Sequence, residues 1–319
     1  MKKFLTLALV AIMLVTVLAS CNGGTTKLTM GTGGTGGTYY AFGAVLGQYV
    51  ENNAGVGCVA VSTDGSKANI QGIASGDYQL GTVQSDVMAY AWNGTNTFAE
   101  NGKVDSFRVI GGLYAEAVQL ITMDPNIKSV ADLAGKSVSI GAPASGVYFN
   151  AIDVLGAVGL TENDIKAQYQ SFNESVESLK DGKIDAAFVV AGAPTPAVVD
   201  LMTTKDAYLV PIDGDVADTV MKNCPYYTAY TVPAGTYKGQ TEDVTTITVK
   251  ATLIVSADID EDTVYEITKA IFDNAEAITA EHAKGAELSI ENATSGMTAP
   301  FHTGAARYFA EKGVNVETE

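Results

Sequence analysis

The residues whose types and spacing best fit chemistry lie in Gly31-Thr32-Gly33-Gly34-Thr35-Gly36-Gly37-Thr38-Tyr39-Tyr40. An apolar run, Leu28 to Met30, precedes this stretch. Apolar residues at Tyr39, Phe42, Val45/Leu46 and Tyr49/Val50 follow it near the spacing of one helical face. The glycines therefore join a strand to a helix. Such a turn leaves backbone N–H groups open and aims a helix N-terminus at whatever lies in front, which suits an anion. The N–H groups of Gly33 to Thr38 (Gly33, Gly34, Thr35, Gly36, Gly37 and Thr38), the hydroxyls of Thr35 and Thr38 and the ring of Tyr39 are the candidate contacts. A second such turn, Gly141-Ala142-Pro143-Ala144-Ser145-Gly146, adds Ser145 and Gly146 as candidate contacts, and the ring of Tyr148, in the Tyr148-Phe149 pair that opens the helix after it, is a further one. Asn69, Gln84 and Asp86 stand at strand or helix ends. There Asp86 can pair with an ammonium and Gln84 can orient a polar group.

Reaction chemistry has weaker claims. Gly31-Thr32-Gly33-Gly34-Thr35-Gly36 is formally the dinucleotide fingerprint, and Asp64 stands near the end of the next strand. The leader described below argues against it, because dinucleotides are not expected outside the cell membrane. No Gly-Lys-Ser/Thr follows, which excludes a P-loop. Pro143-Ala144-Ser145-Gly146 is not a nucleophile elbow. The only histidines are His282 and His302, so no metal spacing exists, and His302 fits capping or packing. Asp258, Asp260 and Asp262 alternate as in a calcium loop. Thr263 stands where such a loop needs Gly and Lys269 where it needs Glu, so helix capping is the better role. The expectation is no catalytic residue, no metal and no cofactor.

Lys2-Lys3, the apolar run Phe4 to Leu18 and Leu18-Ala19-Ser20-Cys21 read as a secretory leader over residues 1–20. The run is short for a membrane span. Leu-Ala-Ser-Cys resembles a bacterial lipobox, which implies lipid on Cys21 and a tether to Thr26. The formal net charge is −17, and losing Lys2 and Lys3 makes it two units more negative. Nucleic acid and anionic lipid bound through a basic patch are poor partners for such a chain. Cys58 and Cys224 are best read as two separate thiols.

The elements that position these residues come in two similar sets. Strand, turn, helix, strand (Val56 to Val61), helix through Ile70 and Ile73, Gly76, strand (Gln79 to Val83) and helix make a β-α-β-α-β unit. The order returns with strands at Ser137–Ile140, Ile165–Tyr169 and Asp185–Val190. An offset of about 106 residues aligns Gly76 with Gly182, Ile73 with Leu179 and Ile70 with Val176. Arg108 to Thr122 and Val244 to Ser256 fit two crossings between the sets. Asp260 fits an N-cap for a helix to Phe272, and Thr303 to Glu311 reads as the last helix. The expected fold is α/β, a two-lobed clamshell with a two-strand hinge. Lobe 1 comprises residues 27–114 plus 249–319, and lobe 2 residues 115–248. Ligands of open α/β sheets bind beyond the carboxyl ends of the strands, where both glycine turns lie.

With those residues in place, the chain resembles the TAXI-type solute receptors of tripartite ATP-independent periplasmic (TRAP) transporters. The carrying residues are Gly31 to Tyr40, Ser62 to Gly76, Val83-Gln84-Ser85-Asp86, Asp132 to Lys136, Gly141 to Gly146, Val232 to Tyr237 and Phe301 to Gly313. The resemblance implies a type II periplasmic-binding-protein fold. It also implies a lipid-anchored extracytoplasmic receptor that delivers a small organic acid, glutamate-like in some members, to membrane permease subunits. Carried over residue by residue, the ligand contacts would fall at Thr35 to Tyr39, Ser66, Asn69, Gln84 to Asp86 and Ser145. The ligand carboxylate would rest on helix N-termini, with Lys67 as an optional partner. An ABC-type binding protein or a ligand sensor shares this reading of the residues.

Overall fold

The structure is a computed structural model that describes residues 27–319 except residue 101. The leader over residues 1–20, the lipidated Cys21 and the tether to Thr26 lie outside the described residues. Among those described, no helix is long and apolar enough to cross a membrane.

The first unit runs β1 (Lys27–Gly31), α1 (Thr38–Ala54), β2 (Gly57–Val61), α2 (Ser66–Ser75), β3 (Leu80–Gln84), α3 (Ser85–Asn93) and then the long β4 (Phe107–Thr122). The second runs β5 (Ser137–Ser139), α4 (Val147–Ala157), β6 (Lys166–Gln168), α5 (Phe172–Lys180), β7 (Ala186–Ala191), α6 (Pro196–Thr204), β8 (Tyr208–Val210), α7 (Gly214–Asn223), β9 (Thr228–Val232) and the long β10 (Val244–Ser256). Helices α8 (Glu261–Phe272), α9 (Ala275–Glu281), α10 (Ile290–Thr294) and α11 (Thr303–Glu311) complete the chain.

One sheet runs β2-β1-β3-β10-β4-β7-β5-β6, with β8 on β4 and β9 on β10. Each end is a parallel trio: β1 between β2 and β3, and β5 between β6 and β7. Each trio is closed by an antiparallel long strand, β10 against β3 and β4 against β7. The two trios are thus built alike. Gly76 and Gly182 close the matching helices with left-handed φ of 84° and 69°, which glycine adopts without strain.

β4 and β10 pair with each other along most of their length, with register shifts at Ala251/Thr252 and Leu253/Ile254. Core membership changes along both strands. Tyr114 and Ala251 pack with residues 28–113 and 253–309. Val118 and Val249 pack with residues 120–247, and Ala117 joins a third cluster that runs from 121 to 237. The N-cap assigned to Asp260 is present, its carboxylate accepting from Thr263 N at 2.9 Å. His302 caps α11, its ring accepting from Gly304 N while Nε2 meets Ile259 O at 2.9 Å.

Candidate functional site

A cavity of about 340 Å³ lies between the two units, at the carboxyl ends of the parallel strands. Its walls are the turn Gly33 to Tyr39, the loop Ser62 to Ser66, Gln84, Glu116, Ala142, Ser145 to Val147, Gln170 to Asn173, Val190 and Ala191. Helices α1, α2 and α4 start on this cavity, two from the first unit and one from the second. Their N-caps are Gly37, Gly65 and Gly146, and none carries a side-chain cap. The first-turn N–H groups of a helix have no intrahelical acceptor and carry the positive end of its dipole. Three uncapped starts on one cavity make a strong donor site for an anion. The start of α5 differs: Ser171 caps it by accepting from Glu174 N.

Side chains on the same walls are mostly turned the other way, as acceptors. Thr38 Oγ1 donates to Gly192 O at 2.8 Å, and Ser145 Oγ donates to Ala142 O at 2.7 Å. A hydroxyl that has spent its proton offers a ligand only lone pairs. Ser66 Oγ accepts from Gln84 N at 3.0 Å. Glu116, 1 % exposed, is also on the wall, and its Oε1 accepts from Tyr39 OH at 2.5 Å. Burial pushes the Glu116 carboxyl well above its ordinary value, although the hydrogen bonds from Tyr39 and Gln84 and the nearby Lys284 pull it down. Burial and the neighbouring Glu116 likewise raise the Tyr39 phenol. Lys284 Nζ is itself held by Glu287 at 2.6 Å. Among the described residues lining the cavity there is no Lys, Arg or His.

Contacts between the units surround the cavity. Ala197 N donates to Gly36 O at 3.0 Å, and Asn173 Nδ2 to Thr35 Oγ1 at 3.2 Å. Behind Gln84, its Nε2 donates to Asn150 Oδ1 at 3.1 Å, while Asn150 Nδ2 donates to Asp86 Oδ2 at 2.9 Å and to Tyr227 OH at 2.7 Å. Gln84 Oε1 and Asp86 Oδ1 are buried without a partner.

Of the residues singled out in the sequence, Gly34, Thr35, Gly36, Gly37, Thr38, Tyr39, Ser66, Gln84, Ser145 and Gly146 line this cavity. Asn69, Asp86 and Tyr148 stand off it. Asn69 is fully buried and donates to Thr32 O and Thr82 O, tying the glycine turn to β3. Asp86 is the acid of the contact behind the cavity. Tyr148 is the second residue of α4. The first, Val147, takes the wall, whereas the Tyr148 hydroxyl reaches away to Glu162. Lys67 is also off the cavity, its ammonium lying 5.9 Å from the Phe98 ring. Glu116, the segment Gln170 to Asn173, the loop Ser62 to Gly65, Ala142, Val147, Val190 and Ala191 are the wall residues that the sequence reading lacked. A signal for Glu116 did exist: it is the one acid in a buried strand, where an acid is rarely placed without purpose.

Two α/β lobes joined by a pair of long crossing strands, with a cavity between them at the strand ends, define the type II periplasmic-binding-protein fold. Solved structures of that fold superpose on this chain. The alkanesulfonate-binding protein SsuA of Xanthomonas axonopodis pv. citri, bound to MOPS, does so at 15 % identity, covering 91 % of this chain and 85 % of its own, with a TM-score of 0.50. A putative L-cystine ABC transporter protein of Listeria monocytogenes gives 16 %, 83 %, 98 % and 0.52. The GluR0 ligand-binding core of Nostoc punctiforme with L-glutamate gives 14 %, 82 %, 98 % and 0.50. At these identities they show the fold alone. The profile of the NMT1-like family, a family of periplasmic solute-binding proteins, matches residues 30–313, and the chain belongs to that family.

Proposed function

We propose that this chain is an extracytoplasmic solute-binding receptor, not an enzyme. Residues 27–114 with 249–319 form one lobe and residues 115–248 the other. They shut on a small carboxylate and present it to membrane permease subunits. The observation that carries this reading is the meeting of three uncapped helix N-termini, from both lobes, on one cavity. A ligand bridging them is held better with the lobes together than apart, and that difference is what drives closure. The cavity volume suits a molecule of amino-acid or small dicarboxylate size.

The TAXI resemblance, which spans the chain from Gly31 to Gly313, supports a TRAP permease as the partner, with the receptor tethered through lipid on Cys21. The L-cystine ABC transporter protein among the structural neighbours favours an ABC permease as the second reading. Uptake in vesicles carrying the permease separates the two. A TRAP partner loses uptake when an ionophore collapses the gradient, and an ABC partner loses it when ATP is withheld.

The receptor reading is tested by a thermal-shift screen of amino acids, dicarboxylates, sulfonates and sugars against the soluble chain starting after Cys21. A true ligand raises the melting temperature by mass action, in proportion to the logarithm of its concentration above Kd. Stabilisation by sugars or inorganic cations and by no carboxylate would remove the anion site.

A further inference from the structure

We propose that a second cavity between the lobes, separate from the first, binds a small organic cation of the quaternary or methylated ammonium type, and that its occupant tightens the hold of the first cavity on its own ligand. The cation site stands by itself; the coupling rests on the receptor reading above.

This second cavity, of about 490 Å³, is walled by Tyr90 and Asn96 of lobe 1 and by Asp153, Asn223, Cys224 and Tyr226 of lobe 2, and it shares no wall residue with the first. Its volume lies in the range of small-molecule sites. The Tyr90 and Tyr226 rings stand 6.0 Å apart with their planes at 83°, two aromatic walls set at nearly a right angle. Phe149, also from lobe 2, packs against Tyr90 at 6.1 Å and helps fix its ring. An aromatic face attracts a cation through its quadrupole, most strongly where water is excluded, and Tyr90 is 5 % exposed. Asp153 supplies the charge. Tyr227 OH donates to its Oδ2 at 2.9 Å, and a carboxylate has lone pairs to accept more. Asp86 lies one helical turn before Tyr90 on the same face of α3, fully buried, with Oδ1 unpartnered. Among the described residues neither acid has an ion-pair partner. No Lys, Arg or His among them lines the cavity. Nor do they include a group of three or more His, Cys, Asp or Glu able to hold a metal. Two aromatic walls with one carboxylate suit an organic cation better than a metal ion.

One line of hydrogen bonds joins the two cavities. Gln84, on the wall of the first, donates through Nε2 to Asn150 Oδ1 at 3.1 Å. Asn150 Nδ2 donates to Tyr227 OH at 2.7 Å, and Tyr227 OH donates to Asp153, on the wall of the second. Gln84 belongs to lobe 1 and the other three to lobe 2, so the line is complete only with the lobes together. An occupant of the second cavity also touches both lobes, Tyr90 on one side and Asp153 and Tyr226 on the other. Each ligand therefore favours the closed form that the other needs, and linkage makes the effect reciprocal.

Choline and its uncharged isostere 3,3-dimethylbutan-1-ol test the inference, titrated calorimetrically at constant ionic strength into the wild-type chain, Asp153→Asn and Tyr226→Leu. In the wild type choline binds saturably and roughly tenfold or more tighter than the alcohol, through the aromatic and carboxylate attractions together. Asp153→Asn brings the pair to within about threefold, and Tyr226→Leu weakens choline while sparing the alcohol. With the first cavity saturated by a ligand from the thermal-shift screen, choline binds roughly five- to fiftyfold tighter, and choline strengthens that ligand by the same factor. Equal binding of choline and the alcohol, or no saturable binding of choline, overturns the cation site. Weakening of the screened ligand by choline puts choline in the first cavity and overturns it too. Choline binding that the screened ligand leaves unchanged overturns the coupling. Should a variant fail to fold, the wild-type pair and the coupling measurement decide without it. If the screen yields no ligand, the receptor reading fails by itself, and the choline titration still judges the second cavity.

Discussion

Gly146→Ala separates closure from folding. Gly146 sits at φ −75° and ψ −22°, a right-handed conformation that alanine adopts without strain, and alanine keeps the N–H. The obstacle is across the cleft. A Cβ built on Gly146 would stand 2.6 Å from Gln84 Cδ and 2.7 Å from Val87 Cγ2, and closer still to Gln84 Oε1. Carbon atoms rest about 3.5–4.0 Å apart, so the lobes must separate by roughly 1 Å. Gln84 cannot easily step aside, because its backbone N is bonded to Ser66 and its Nε2 to Asn150. Separation on that scale weakens the bonds from Gln84 to Asn150 and from Asn150 to Asp86, at about 1–2 kcal/mol each. The closed form is then disfavoured by about 2–4 kcal/mol, and a ligand that binds only that form loses roughly 30- to 1000-fold in affinity. Titration calorimetry with a ligand from the screen reads the loss, and the melting temperature of the unliganded variant stays within a few degrees of wild type. An affinity within about threefold of wild type would refute the reasoning, since the lobes would then hold the ligand without approaching as the structure shows.

Gly36→Ala faces the same cleft with a softer obstacle, the side chain of Asn173 with Ala197 Cβ at 3.2 Å. Its affinity loss by the same titration is smaller, roughly three- to tenfold. Asp86→Asn tests the acid behind the cavity. Burial raises the Asp86 carboxyl to about 7 from an ordinary 3.8, so between those values the folded chain holds a proton that the unfolded chain has lost. Stability therefore falls as pH rises through this window, by up to roughly 4 kcal/mol. The amide removes that part of the slope, leaving the variant more stable than wild type at about pH 8 in urea unfolding and little changed near pH 4; an unaltered slope would count against the buried acid. Asp260→Ala removes the cap on Thr263 N and costs about 1 kcal/mol in the same measurement, with ligand affinity unchanged because α8 lies away from the cavity.

The strands that close around the site were readable because each is an apolar run bounded by glycine or a polar turn. Val244–Ser256 and Thr303–Glu311 coincide with the observed elements, and the 106-residue offset places β3 on β7 and α2 on α5. Edge pieces were not readable: β9 is mostly exposed, so burial imposes no period on its sequence. In the site, the turns were legible because glycine between a strand and a helix has few other uses. Directions within the helices were not. Tyr39 and Tyr148 both occupy the second position of their helices, yet Tyr39 lines the cavity beside Thr38 while Tyr148 turns to Glu162, and nothing in the two sequences separates them. Asp86 has the type and place of a ligand contact, yet Asn150, 64 residues away, claims it. Glu116 lies in a crossing strand rather than in a glycine turn, so a search centred on the turns passes over it.

The alternation of core membership along β4 and β10 also sets an order of assembly. The clusters that span residues 117–249 are drawn from one continuous stretch of chain. The other draws on residues 28–114 and then on Ala251 to Phe309, so its sheet has no β10 beside β3 until nearly the whole polypeptide is present. Local contacts form faster than distant ones, because less loop entropy is lost in making them. In a growing or refolding chain the inserted lobe consolidates first, and the lobe carrying the N-terminal glycine turn waits for the last third of the sequence before its half of the cleft exists.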